Sequence, residues 1–238
     1  MARDIAVGFD LDHTLGIDNL LEKTVALAML ADRAQRRGVT YDVAAAEKAI
    51  GETLHAMRSG DVSVELGIAG FFGQFVAGGE RLDVIDEAED YREAVLAKVG
   101  EHMTALPGMR ELLAGLEAMG VAYGVLSNGW SPLQEEKARA LEIFAPVFVS
   151  ERIGARKPAR AAFESLEKLF ALPAGKIWYV GDDPIADCVG ATEAGMVAVW
   201  LDAERRPYPP DATYPAHTIH ALGELLPLLR EALGAAPV

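Results

Sequence analysis

A single apolar run, Ile5 to Phe9, is followed by a long stretch, from about Asn19 to Met103, with almost no strand signal. Within it apolar residues recur at helical spacing. Leu20, Leu21, Val25, Ala28 and Met29 form one face; Ala45, Ala49, Leu54 and Met57 a second. Leu66, Ile68, Phe71, Phe72 and Phe75 form a third; Val84, Ile85, Ala88, Tyr91, Val95, Leu96 and Val99 a fourth. Gly38, Gly60 and the pair Gly78–Gly79 punctuate these helices. Beyond Met103 the pattern alternates. LPGMRELLAGLEAMG reads as a helix and VAYGVLS as a buried strand. The next helix opens with Ser131 as N-cap, Pro132 at the first helical position and Gln134 closing a capping box. PVFVS, KIWYVG and MVAVWL read as strands, separated by helices over Arg160 to Phe170 and Asp187 to Ala194. A last helix carries Leu222, Leu225, Leu226, Leu229 and Leu233.

Strand and helix alternating at this spacing predict an α/β fold: a Rossmann-like wound parallel sheet with helices on both faces. The all-helical segment is an insert after the first strand, so the core is residues 1–15 and 104–238 and the insert residues 16–103. An insert there is expected over the carboxyl ends of the strands, the edge where open parallel sheets bind ligands.

The 238 residues carry 22 Lys and Arg against 36 Asp and Glu, a net charge of −14, which repels polyanions and argues against nucleic acid as a partner. No apolar run approaches the length of a membrane span. The lone Cys188 excludes an intrachain disulfide and, with no signal-peptide pattern at the N-terminus, leads to the expectation of a cytoplasmic protein.

Polar groups gather at four strand ends. Asp10 and Asp12 follow the first strand; Ser127, Asn128 and Gly129 follow the second. Lys157 and Pro158 sit in the loop after PVFVS; Asp182, Asp183 and Asp187 follow KIWYVG. A right-handed wound sheet brings such ends to one edge. Carboxylates at the end of a buried run are costly unless a cation neutralises them.

These stretches resemble the four motifs of the haloacid dehalogenase superfamily of phosphohydrolases. FDLDHTL is similar to the first, DxDxT; VLSNG, RKPA and VGDDPIADCVGA are similar to the second, third and fourth. The helical insert resembles the superfamily's C1-type cap, and the likeness covers nearly the whole chain. It implies that Asp10 attacks phosphorus to form an aspartyl-phosphate. Asp12 is implied to protonate the leaving oxygen and then activate water. Ser127 and the Asn128 backbone are implied to hold phosphate oxygens, with Thr14 and Gly129 in the substrate-binding set. Lys157 is implied to stabilise charge on the phosphoryl group and beside the acids. Asp182, the Asp10 carboxylate and the Asp12 main-chain carbonyl are implied to bind Mg²⁺, with Asp183 and Asp187 in support. Elementary chemistry fits: Mg²⁺ takes oxygen ligands and keeps several waters, and phosphoryl transfer needs positioning and charge neutralisation.

The resemblance thus implies a Mg²⁺-dependent phosphatase of small phosphorylated metabolites: phosphoglycolate, sugar phosphates or nucleoside monophosphates. It would be a monomer or a homodimer. A 2-haloacid dehalogenase is a second reading; it needs no metal and normally lacks the second aspartate. A phosphomutase is a third, and a non-catalytic binding module on the same fold a fourth. Among individual residues, Asp183 reads as a helix cap and Cys188 as a small buried residue. His13 reads as a partly buried structural histidine in preference to a contact of the cap or leaving group. Trp130 fits either a pocket mouth or simple packing. The cluster Phe71, Phe72 and Phe75 reads as cap core. Lys48, His55, Arg58 and Arg92 are candidates for substrate selection in the insert.

Overall fold

The computed structural model describes residues 5–76 and 83–234. The expected turn at Gly78–Gly79 and the tail after Gly234 lie outside them. The chain divides into two units, Met1–Ile17 with Met103–Val238, and Asp18–His102.

Among the described residues the first unit holds eight strands: β1 (Ala6–Phe9), β2 (Gly16–Ile17), β3 (Thr104–Ala105), β4 (Ala122–Ser127), β5 (Val147–Val149), β6 (Ile177–Gly181), β7 (Val197–Leu201) and β8 (His217–Ile219). Six of them form one parallel sheet in the order β5-β4-β1-β6-β7-β8. β1 is therefore the pivot. The chain winds outward from it to β4 and β5, then returns to lay β6 on its other side. A crevice at the carboxyl ends of such neighbouring strands is the standard ligand position of an open α/β sheet.

The sheet is buried on both faces, as parallel sheets are. Alternation along β6 shows it: Trp178 and Val180 join one apolar cluster, Ile177 and Tyr179 the other. Leu112 and Leu116 of α6 (Met109–Ala118) and Leu225 and Leu229 of α11 (Leu225–Ala232) cover the first face. Phe163, Leu166 and Phe170 of α9 (Arg160–Phe170) and Ala191 of α10 (Gly190–Glu193) cover the second. Two further helices, α7 (Leu133–Ala140) and α8 (Ser150–Ile153), follow β4 and β5. β2 and β3 pair antiparallel across Gly16–Ala105 and Ile17–Thr104, so both connecting strands belong to this unit. The boundary accordingly falls at 17/18 and 102/103, slightly inside the expected insert.

The second unit is helical: α1 (Leu21–Arg37), α2 (Val43–Ser59), α3 (Val64–Val76), α4 (Val84–Leu96) and the short α5 (Val99–His102). α1 packs on α2, α3 and α4, and α3 on α2 and α4. Asp42 and Asp83 cap α2 and α4 with their carboxylates. Phe71 and Phe72 are buried, and Arg33 lies over the Phe72 ring at 4.1 Å, so the phenylalanine cluster is core. All four expected faces shift in part. On α2 Leu54 and Met57 are buried as expected, but with Ala46 and Ile50 in place of Ala45 and Ala49, while Leu20, Leu66 and Ile85 are exposed. Among the described residues no helix is long and apolar enough to cross a membrane.

Candidate active site

β1 delivers Asp10 to the crevice. Its amide donates to the Val180 carbonyl at 2.9 Å, and the residue is 7% exposed. The chain then wraps around one carbonyl: the amides of Thr14, Leu15 and Gly16 all donate to Leu11 O. His13 takes a left-handed conformation, φ 61°, to close this turn and donates to Gly16 O at 2.7 Å. It is exposed, which corrects the expectation of a partly buried histidine. Thr14 is fully buried and its hydroxyl has no hydrogen-bond partner, so its side chain is enclosed where a substrate-binding group was expected.

Lys157 is the hub. Its Nζ donates to Asp10 Oδ1 at 2.6 Å, Asp187 Oδ1 at 2.7 Å and the Tyr179 hydroxyl at 2.9 Å. These three bonds use all three ammonium protons. Burial alone would lower the lysine's pKa; Asp10 and Asp187 override it and hold it well above the ordinary value. Burial pushes the Asp10 carboxyl well up; Lys157 opposes this, and the neighbouring charges of Asp187 and Asp182 add to it.

The end of β4 fixes the loop that carries Lys157. Asn128 Nδ2 donates to Lys157 O and Asn128 Oδ1 accepts from Lys157 N, both at 2.9 Å. The Asn128 side chain is thus engaged by backbone. Ser127 is buried at the strand end. Gly129 N donates to Ser150 Oγ at 3.0 Å, and Ser150 Oγ donates back to Gly129 O at 3.1 Å. Trp130 is buried.

After β6 the chain enters a π-helical turn, Pro184–Val189, where an α-helix from Asp187 was expected. Asp183 caps it, accepting from Ile185 N and Ala186 N at 2.8 Å. Asp187 is buried and its Oδ2 accepts from Asp183 N at 3.0 Å. Asp182 is partly exposed. Its carbonyl accepts from Trp200 Nε1 at 3.0 Å and Arg206 at 3.1 Å, and its carboxylate lies 3.8 Å from Arg206. Burial and the Asp187 charge raise its pKa to about 6. Cys188 is buried, and burial pushes its thiol up, so it is an inert packing residue.

Sequence reasoning missed three groups. Lys137, 1% exposed, donates to Asp12 Oδ1 at 2.9 Å and Oδ2 at 3.1 Å. Gln134 Nε2 donates to Asp12 Oδ2 at 3.2 Å. The expected capping box is absent: α7 begins at Leu133, and the Ser131 hydroxyl donates to Glu135 Oε1 at 2.6 Å. The third is Tyr179, whose hydroxyl donates onward to Leu126 O at 2.9 Å. Its position beside Gly181 on an alternating buried strand was the available signal; Lys137 and Gln134 had only their i, i+3 spacing.

Carboxylate oxygens of Asp10, Asp182 and Asp187 approach within 4.8 Å of one another. This set of hard oxygen donors fits Mg²⁺. Both Asp187 oxygens are engaged, by Lys157 and by Asp183 N, and Asp10 Oδ1 is engaged by Lys157. The Asp12 carboxylate is held separately, by Lys137 and Gln134. Formally, four carboxylates, Asp10, Asp12, Asp182 and Asp187, face two buried ammonium groups, Lys137 and Lys157.

In the helical unit, Lys48 pairs with Glu52 at 3.7 Å, Arg92 with Glu65 at 3.1 Å and Arg58 with the buried Glu22 at 3.4 Å; His55 is exposed.

A model of haloacid dehalogenase-like hydrolases matches residues 6–195. Pyrimidine 5'-nucleotidase YjjG of Escherichia coli is 32% identical over 161 residues, 66% of this chain and 70% of that protein. Glyceraldehyde 3-phosphate phosphatase of Pyrococcus furiosus is 29% identical over 207 residues, 84% of this chain and 82% of that one. Among solved structures, the putative HAD-hydrolase YfnB of Bacillus subtilis bound to magnesium superposes with a TM-score of 0.70 at 22% identity, covering 95% of this chain and 99% of that one.

Proposed function

Because this chain belongs to the haloacid dehalogenase-like hydrolase family, we propose that it is a Mg²⁺-dependent phosphatase of small phosphomonoesters that works through an aspartyl-phosphate. One observation carries the reading: the two acids of the first motif have different partners. Asp10 meets Lys157 and lies within the acidic cluster; Asp12 meets Lys137 and Gln134. Two carboxylates in separate environments suit two roles.

In this reading an Asp10 carboxylate oxygen attacks phosphorus as the ester P–O bond breaks, and Asp12 gives its proton to the leaving oxygen. Asp12 then removes a proton from water. The water oxygen attacks the same phosphorus, the Asp10–phosphorus bond breaks, and inorganic phosphate leaves. Lys157 keeps Asp10 aimed and balances charge at the phosphoryl group. Mg²⁺, held by Asp10, Asp182 and the Asp12 carbonyl, would screen the two anions that must meet. The helical unit, Asp18–His102, is read as the cap that selects the substrate. Pyrimidine nucleoside monophosphates and triose phosphates come first in a substrate panel, on the strength of the relatives' activities. Asp12 and the acidic cluster disfavour the dehalogenase reading.

The test is hydrolysis of an aryl phosphate with Mg²⁺ or with chelator, for the wild type and Asp10→Asn. Metal-dependent turnover lost in the variant supports the proposal. Metal-free dehalogenation of chloroacetate, or no turnover across a metabolite panel, overturns it.

A further inference from the structure

We propose that Lys137 is a positioning residue for this hydrolysis: it holds the Asp12 carboxylate in the orientation that meets first the leaving oxygen and then water. The inference rests on the phosphomonoesterase reading above. A lysine is almost never fully buried unless paired, and Lys137 is 1% exposed. Removing an ammonium and a carboxylate from water costs several kcal/mol per ion, and an apolar side chain of similar volume commonly serves stability as well or better. Stability alone therefore does not account for a charged group here.

The geometry supplies the reason. Lys137 Nζ reaches both Asp12 oxygens, at 2.9 and 3.1 Å, and Gln134 Nε2 adds a bond to Oδ2 at 3.2 Å. Gln134 and Lys137 lie three apart on α7 and so share a face. Gln134 is itself wedged against Gly129, where a Cβ would fall 2.3 Å from its Nε2, and it also donates to Asn128 O at 3.4 Å. The pair therefore locks Asp12 to the loop after β4. The Asp12 side chain keeps 28% exposure, so it is held without being sealed from solvent. Lys157 is engaged by Asp10, Asp187 and Tyr179, so each acid of the first motif has an ammonium of its own.

The experiment uses the full-length protein with Mg²⁺ and an aryl phosphate. Lys137→Met preserves volume while removing the ammonium. It should lower kcat by about 10- to 100-fold, the scale of a misaligned catalytic group, with KM and the Mg²⁺ requirement within about twofold of wild type. Lys137→Ala should show the same loss and regain activity with added ethylammonium, but not with tetramethylammonium at equal ionic strength. A Lys137→Met enzyme within about twofold of wild-type kcat overturns the proposal. So does a loss spread equally over KM and kcat, or a Lys137→Ala defect that ethylammonium leaves untouched. Should Lys137→Met fail to fold, the rescue of Lys137→Ala decides alone. A wild type with no phosphatase activity would defeat the parent reading instead, and is distinguished by that control.

Discussion

Asp187 occupies the space that a side chain at Gly181 would need: a Cβ there would fall 2.2 Å from the Asp187 carboxylate. The close approach lets one Asp187 oxygen accept from Asp183 N while the other meets Lys157 at 2.7 Å. Gly181→Ala should therefore push Asp187 out of line and cost Lys157 one of its three partners. The expected result is about 1–3 kcal/mol lower stability in urea unfolding and a roughly 100-fold fall in kcat on an aryl phosphate. Wild-type values for both would refute the close packing.

Tyr179→Phe isolates a single hydroxyl. The ring would keep its edge contact with Phe163, 5.0 Å between centroids, so no cavity forms. What is lost is an acceptor for Lys157 and a donor to Leu126 O, both at 2.9 Å. A buried ammonium proton and a buried carbonyl then go unpaired, which costs about 1–3 kcal/mol. Because Asp10 and Asp187 still hold the lysine, kcat should fall less than about tenfold. Thermal unfolding and steady-state rates together check this; unchanged stability would show that the hydroxyl is dispensable.

The contrast between Lys157 and Lys137 marks how much of the site was legible. Lys157 precedes a proline at a predicted strand end, so topology alone put it beside Asp10. Lys137 sits in LQEEKARA, which reads as a solvated charged face, and only its packing in the folded chain buries it. Gln134 matched a local capping pattern, yet a tertiary partner, Asp12, took its amide. In AAAEKAI the alanines are too alike for periodicity to choose a face, so the first half of α2 was read one residue out of register, while Leu54 and Met57 were placed correctly. β8 is three residues long and β2 and β3 two each, below the length at which alternation means anything. The large buried strands, by contrast, were evident because β1, β4, β6 and β7 must be apolar on both faces.

Asn128→Leu tests whether the loop after β5 depends on the loop after β4. The change removes both 2.9 Å bonds to the Lys157 backbone while leaving the ammonium and its partners in place. Expected are about 2 kcal/mol of lost stability and a kcat reduction of about tenfold or more, because Lys157 is then held only by its tip. Asn128→Asp, which can still accept from Lys157 N but cannot donate to its carbonyl, should fall between the two. If all three proteins have the same kcat, the reciprocal pair plays no part in aiming the lysine.

Asp182 links the site to pH. Its folded pKa is about 6, above the unfolded carboxylate value, because burial and the charge of Asp187 disfavour ionisation. The sign is the reverse of a salt-bridged carboxylate. Between the two values the folded state binds more protons than the unfolded one, so the metal-free protein loses stability as pH rises through that window and stays lower above it. A cation on Asp182 reverses this, but only once the proton is gone. Added Mg²⁺ should therefore raise Tm more at about pH 7.5 than at about pH 5, with apparent affinity falling about tenfold per unit well below the pKa. Asp182→Asn should raise the metal-free Tm near neutral pH by several degrees, corresponding to about 1–3 kcal/mol, and abolish the Mg²⁺-induced shift. A Mg²⁺ stabilisation of equal size at both pH values, or one that survives the substitution, would remove Asp182 from the metal site.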